Sequence, residues 1–352
     1  MIFSRTASVV ASSVHRRCDI AVSHVSSPYI QVYGWGSGFG TKYSDPPVTP
    51  TGTGQGLSFP PSAGAIIHGS GAVPTYMAFE WTVGTGFGAK YADPPSPPAP
   101  VNGDRGQTFS PGGEDIVMGM AGATRIAAYK WESSGWGTKY ANPATLPASN
   151  VIRPDFHPSG TAVAFGQTSG TVNLGAYAWT VGTGFGTRYA DPASMGTING
   201  QGAKFNHDGT VVARTTNVQT SASSADAWAW SSGFGTKYTT PATFPTALGG
   251  QIAWTTDSSA VAFAITFVSP GVTYVYPWSS GFGTKYANPA TAVDGSMLGI
   301  TFSTDNRHIL VGTTAGLQAY EWSSSGFGSK LASPSPGFST TQINNIAMTY
   351  LT

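Results

Sequence analysis

Six histidines (His15, His24, His68, His157, His207 and His308), sixteen acids and one cysteine are the groups with which this chain could do acid–base, metal or nucleophilic chemistry. Their spacing answers to none of the usual demands. A zinc protease needs H-E-x-x-H, a hydrolase serine on a strand–helix elbow needs G-x-S-x-G, and a nucleotide phosphate loop needs G-x-x-x-x-G-K-[ST]. None occurs. The histidines lie in different repeats, mostly near hairpin turns, where a solvated or capping role is the expectation. Asp45, Asp93 and Asp191 precede prolines, and Asp208, Asp257 and Asp305 sit in hairpin turns, where a short carboxylate caps the backbone. Sialidase-type Asp boxes are absent. A propeller lactonase would need Arg, His and Glu converging on its funnel, and the sequence gives no such cluster. Cys18 has no partner for an internal disulfide. The reading is of a chain without catalytic residues, metal or cofactor.

One set of charges does recur. Lys42, Lys90, Lys139, Arg188, Lys237, Lys285 and Lys330 each follow a glycine turn at the same place, and they are seven of the seventeen basic residues. They are the candidate binding residues. Their bland reading is edge protection, because lysine on an outermost strand blocks edge-to-edge pairing. The alternative is docking onto an acidic surface or glycan.

The elements that carry these residues are repeats. W-G-S-G-F-G-T-K-Y-S-D-P at Trp35–Pro46 returns six times, from Trp81, Trp131, Trp179, Trp230, Trp278 and Trp322. The aromatic inside the turn falls at Phe39, Phe87, Trp136, Phe185, Phe234, Phe282 and Phe327, a period of 45 to 49 residues. That length suits a four-stranded propeller blade. The Gly-rich turns have no helix behind them, so they read as hairpins and not as phosphate loops. The copy from Gln201 to Pro241 resolves into four strands. G-Q-G-A-K-F ends at Phe205, the Asp208-Gly209 turn leads into T-V-V-A-R-T-T, A-D-A-W-A-W alternates with period two, and T-K-Y-T-T-P forms the edge.

Two residues before each repeat tryptophan stands another aromatic: Tyr33, Phe79, Tyr129, Tyr177, Trp228, Tyr276 or Tyr320. Positions i and i+2 share a strand face. Each blade therefore offers an aromatic pair to its neighbour, and burial of roughly 150–250 Å² per ring can hold a Gly-rich, disulfide-free ring together.

The predicted fold is all-β, a seven-bladed propeller of four antiparallel strands per blade. It spans residues 19–352 behind an arm at 1–18. Blade one lacks its innermost strand at Asp19–Val25. Ile343–Thr349 is favoured to fill that slot and close the ring; Ser8–Val14 is the competitor. The arm carries Arg5, Arg16 and Arg17 with no acid before Asp19, faintly like a transit peptide, and has no secretory apolar stretch.

Charged residues are 9% of the 352 and the net charge is +1. No basic excess marks a nucleic-acid partner, and no run of 18 or more apolar residues marks a membrane span. The loops V-T-P-T-G-T-G-Q-G, S-P-P-A-P-V-N-G-D-R-G-Q, A-T-L-P-A-S-N-V-I-R-P and A-T-F-P-T-A-L-G-G are proline-rich and nearly uncharged. They read as contact surface.

Blades with Phe205–Gly209 and Phe302–Asp305 turns and a tryptophan closing the third strand resemble WD40-type propellers. The Gly-His and Trp-Asp dipeptides of that pattern are missing, so its buried His–Asp network does not carry over. The W-S-S-G-F-G-T-K-Y-A-N-P repeat is similar to WD40-like proteins of tailed bacteriophages. That resemblance implies a non-enzymatic exterior decoration or tail adhesion component of a virion, with other virion proteins or a host cell-surface glycan as partner. A lactonase- or lyase-like propeller enzyme and a carbohydrate-binding lectin are the alternatives.

Overall fold

The computed structural model describes residues 18–96, 104–169, 173–193, 195, 198–217, 224–245, 247–266, 272–335, 337 and 342–349. Among them there is no helix; the strands form seven antiparallel sheets arranged as the blades of a ring. The innermost strands, from blade one to blade seven, are Ile343–Met348, Gly54–Ser58, Asp104–Phe109, Val151–Phe156, Gly200–Phe205, Gly249–Trp254 and Met297–Phe302. They pack side by side around a central channel.

The C-terminal strand closes the ring, as the sequence predicts. Ile343–Met348 runs antiparallel to Cys18–His24, with Ala21 opposite Ala347 and Val22 opposite Ile346. The end is stapled twice: Asp19 N–H donates to Thr349 Oγ1 at 2.8 Å and Thr349 N–H to Asp19 O at 3.0 Å. The competing segment Ser8–Val14 lies outside the described residues.

Blade five has its first three strands where expected, at Gly200–Phe205, Val211–Thr216 and Ala225–Trp230. Its fourth runs over Phe234–Lys237 and not through T-K-Y-T-T-P. Trp230 faces Phe234 and Trp228 faces Lys237, so pairing begins at the turn aromatic and is spent at the lysine. In blade six Pro277 occupies the third strand, Tyr274–Pro277. Trp278 N–H points back at Ser259 O, so the alternation would turn an N–H at 277 toward the outer segment, and proline has none. That segment runs alongside through Gly283 N–H to Pro277 O and Tyr286 N–H to Val275 O, each 2.9 Å.

Thirteen of the fourteen paired aromatics are buried; Trp131 is half-buried. Six of the seven tryptophans meet, nearly at right angles, their own turn aromatic and the tyrosine after the previous blade's cation, while Trp35 meets Phe39 and His308. Tyr43–Trp81 (5.1 Å between centroids), Tyr140–Trp179 (5.7 Å) and Tyr286–Trp322 (5.0 Å) are examples. The tyrosine lies over the turn glycine of the next blade, where φ is +111° at Gly86 and +99° at Gly135. A Cβ at Gly135 would stand 2.7 Å from the Tyr91 ring. Six blade junctions repeat this lock, and at the seventh Leu331 replaces the tyrosine against Gly38. The G-F-G-T-K-Y signature is thus an inter-blade fastening.

Candidate functional site

The innermost strands place one side chain in every blade at the same height, immediately before the strand-ending apolar residue. In ring order from blade two these are Ser58, Thr108, Asp155, Lys204, Ala253, Thr301 and, in blade one, Ala347; all seven line one cavity of about 420 Å³. Two residues deeper, at a level termed the waist, Gly106, Arg153, Gly202, Gln251 and Asn345 line the same cavity. The cavity opens on the face of the first-to-second-strand turns, past Pro61, Pro111, Pro158 and His207.

The waist is built by a bulge. In blade four the register jumps between Ile152, opposite Gly166, and Asp155, opposite Ala164. Arg153 sits in that jump with φ +42°, a left-handed backbone that costs an arginine on the order of 1–3 kcal/mol. A bulge re-aims a side chain, and here it turns a guanidinium into the channel. The neighbours make room: a Cβ on Gly106 would lie 3.1 Å from Arg153 Cα, and one on Gly202 would lie 3.2 Å from Arg153 Cβ. Arg153 Nη1 donates to Gln201 O at 2.8 Å. Across the waist, Gln251 donates from Nε2 to Ile346 O at 3.1 Å and accepts Ile300 N–H at 3.1 Å, tying blade six to blade seven and to the closing strand.

Above the waist, Lys204 Nζ lies 2.7 Å from Asp155 Oδ1, and Asp155 Oδ2 accepts the Phe205 N–H at 2.8 Å. The mouth adds His207, whose pKa is lowered by desolvation first and by the Lys204 charge second, against the pull of Asp155. His207 is exposed at the mouth, and the shift favours its uncharged form. Two cations, one carboxylate and a neutral imidazole around a lined cavity can bind an anion, polarise a carbonyl and accept a proton from water.

The sequence shows no cluster of Arg, His and Glu; the cavity holds no Glu, but Arg153, His207 and the aspartate Asp155 all line it. Arg153, Asp155, Lys204 and His207 come from two adjacent blades and line the same cavity, with Asp155 and Lys204 in direct contact. The signal was present: aligning the repeats on Phe156 and Phe205 puts Asp155 and Lys204 in one column.

The repeated cations stay apart on the outer strands. Lys42, Lys90 and Arg188 pair with the aspartate three residues on, Asp45 (2.7 Å), Asp93 (2.5 Å) and Asp191 (2.5 Å). Lys237 pairs with Asp226 at 2.8 Å and lies over the Trp228 ring, and Lys330 pairs with Asp294 at 2.8 Å. Lys285 donates to Asn288 Oδ1 at 2.8 Å. Lys139 ends the outer strand of blade three. Of the hairpin acids, Asp257 and Asp305 cap their own turns through Ser259 and Ser303.

No protein-family model matches the chain, and no curated protein matches it by sequence. Its fold matches many solved structures. A candidate 6-phosphogluconolactonase from Bacteroides uniformis aligns with a TM-score of 0.73 at 11% identity, covering 95% of this chain and 99% of that one. The periplasmic gluconolactonase of Pseudomonas aeruginosa aligns with a TM-score of 0.68 at 13% identity, covering 96% and 100%. A second candidate 6-phosphogluconolactonase, from Bacteroides fragilis, gives 0.70 at 13% identity, covering 96% and 99%. At such identities the likeness is one of fold, the seven-bladed propeller. It nevertheless overturns the expectation of a non-enzymatic phage-particle component, because these similar proteins are described as bacterial lactonases.

Proposed function

We propose that this protein is an enzyme that hydrolyses a sugar lactone in the channel cavity. The observation that carries the reading is the convergence of Arg153, Asp155, Lys204 and His207 on one cavity of about 420 Å³, a volume suited to a single small ligand. The names of the similar folds supply the substrate class.

Lactone opening needs water made nucleophilic at a carbonyl whose oxygen gathers negative charge. His207, kept neutral by desolvation and by Lys204, takes the proton from water as the water oxygen bonds to the carbonyl carbon. Arg153 and Lys204, the latter with its side chain 40% exposed at the mouth, supply positive charge to the developing oxyanion. Collapse breaks the bond to the ring oxygen, which takes that proton from His207 and remains in the opened chain as a hydroxyl. Asp155 holds Lys204 in place from 2.7 Å. The product carboxylate then lies against the same cations.

The test is acid release from gluconolactone and its 6-phosphate, followed by pH-stat against the spontaneous rate. His207→Asn is expected to lower kcat by about 10²-fold. Lys204→Ala and Arg153→Ala are expected to raise KM as well as lower kcat. Release at the buffer rate with either lactone would end this reading.

A further inference from the structure

A hydrogen-bonded histidine–hydroxyl cluster lies apart from the cavity lining, in the first-to-second-strand turn of blade four. His157 Nε2 is 2.8 Å from Gly209 O in the turn of blade five. A carbonyl oxygen only accepts, so Nε2 is the donor in this contact and, in that tautomer, Nδ1 is the acceptor. Ser159 Oγ stands 2.7 Å from that Nδ1, and the Ser159 N–H reaches it at 3.1 Å. Thr161 Oγ1 is 2.7 Å from Ser159 Oγ on the other side. With Nδ1 as acceptor, the Ser159 hydroxyl donates to His157 and accepts from Thr161. That is a nucleophile, a base and a group that orients the base, which is the arrangement acyl transfer requires.

The ring is held for this role. It packs edge-on against Phe205 with centroids 5.1 Å apart. A Cβ on Gly209, whose φ is +70°, would stand 2.4 Å from Nε2, so only glycine there lets the imidazole in. Ser159 itself is exposed. The equivalent turns of blades six and seven keep the local bonding, Ser259 Oγ to Asp257 and Ser303 Oγ to Asp305, but put an acid in place of the serine. Blades five, six and seven carry Asp208, Asp257 and Asp305 where blade four has Ser159. Blade two has Ser62 there, with Pro60 in place of the histidine.

We propose that Ser159 is a nucleophilic serine, with His157 as its base, acting on the acyl carbon of small activated carboxylic esters. Ser159 Oγ bonds to the acyl carbon and its proton passes to His157 Nδ1. The ester C–O bond breaks, and the departing alkoxide takes that proton. Water then frees the acyl group by the reverse steps. The inference is independent of the lactone reading.

The probe is an alkyl fluorophosphonate applied to the full chain, with intact-mass analysis and peptide mapping. The expected result is one adduct, on Ser159, with fluoride released. Ser159→Ala removes it, and His157→Ala cuts labelling at least tenfold while a thermal melt shows the fold intact. Ser62 in the same protein stays unlabelled and serves as the internal control. Lys204→Ala lowers lactone hydrolysis but leaves labelling unchanged, so the two sites fail separately. If His157→Ala unfolds the protein, Ser159→Ala alone decides through the loss of p-nitrophenyl acetate cleavage. No adduct, labelling that survives loss of His157, or equal labelling of Ser62 would leave Ser159 as a turn cap and overturn the proposal.

Discussion

Asp115 shows what a single buried acid does in this ring. It is fully buried, it accepts the Tyr140 hydroxyl on Oδ1, and it accepts Trp179 Nε1–H on Oδ2 at 3.0 Å. Asp19 does the same for Tyr43 (2.7 Å) and Trp81 (3.1 Å). Both tie one blade's tyrosine to the next blade's tryptophan. Asp115→Ala is expected to cost about 2–4 kcal/mol, because it orphans two donors in a place water does not reach; chemical denaturation measures it. A loss under 1 kcal/mol would show that the donors find other partners. These acids were not legible in advance. Each lies more than twenty residues from its nearest partner, and nothing in the local pattern separates a strand-leading aspartate that binds a neighbour from one that caps a turn. Arg153 was hidden for a different reason. Its orientation comes from a bulge, and a bulge is a property of pairing between strands.

The strands themselves were legible, because the repeat supplied seven independent copies of one pattern. The turn glycines and aromatics marked each hairpin, and the third strand alternated cleanly. What the pattern concealed was how one blade reaches the next. The tyrosine of T-K-Y looked like the tail of an edge strand, whereas it serves as a lid over the following blade's glycine. Gly135→Ala tests that lock. It forces an alanine to φ +99° and puts its Cβ 2.7 Å from the Tyr91 ring, so it is expected to cost about 2–3 kcal/mol and to lower Tm. Gly182→Ala is the contrast: φ is +75° but nothing lies within 4 Å of the added carbon, so only the backbone strain of about 1 kcal/mol is expected. Equal costs at both sites would remove packing from the explanation. Trp230→Ala, at 5% exposure and in contact with Tyr189, Phe205 and Phe234, should cost roughly 3–5 kcal/mol.

A ring is only as stable as its closure, and here the closing strand lies beside two titratable groups. His24 and His68, on the second strands of blades one and two, are buried, at 1% and 0% exposure. Burial is the first cause that pushes each from 6.5 down to about 4. Lys42 pushes His24 further and Asp45 opposes it, while His24 adds to the shift of His68. His68 Nε2, Ser23 Cβ and Tyr29 O all lie within 2.8 Å of where a Cβ on Gly54 would be, and Gly54 O accepts from Asn344 of the closing strand at 2.7 Å. The folded state therefore favours both rings neutral. Their contribution is complete above pH 6.5 and is lost as pH falls from there toward 4, by as much as roughly 3 kcal/mol for each ring. Unfolding free energy measured by denaturant at pH 7.5, 6, 5 and 4.5 should fall steeply across that window. Removing residues 343–352 should abolish cooperative unfolding at every pH, because blade one then loses its inner strand and Gln251 loses the partner it holds across the channel. The double variant His24→Gln, His68→Gln should be less stable at neutral pH yet nearly flat between pH 6.5 and 4.5. If the variant falls with acid as steeply as the parent, the carboxylates and not this pair of histidines govern the opening of the ring.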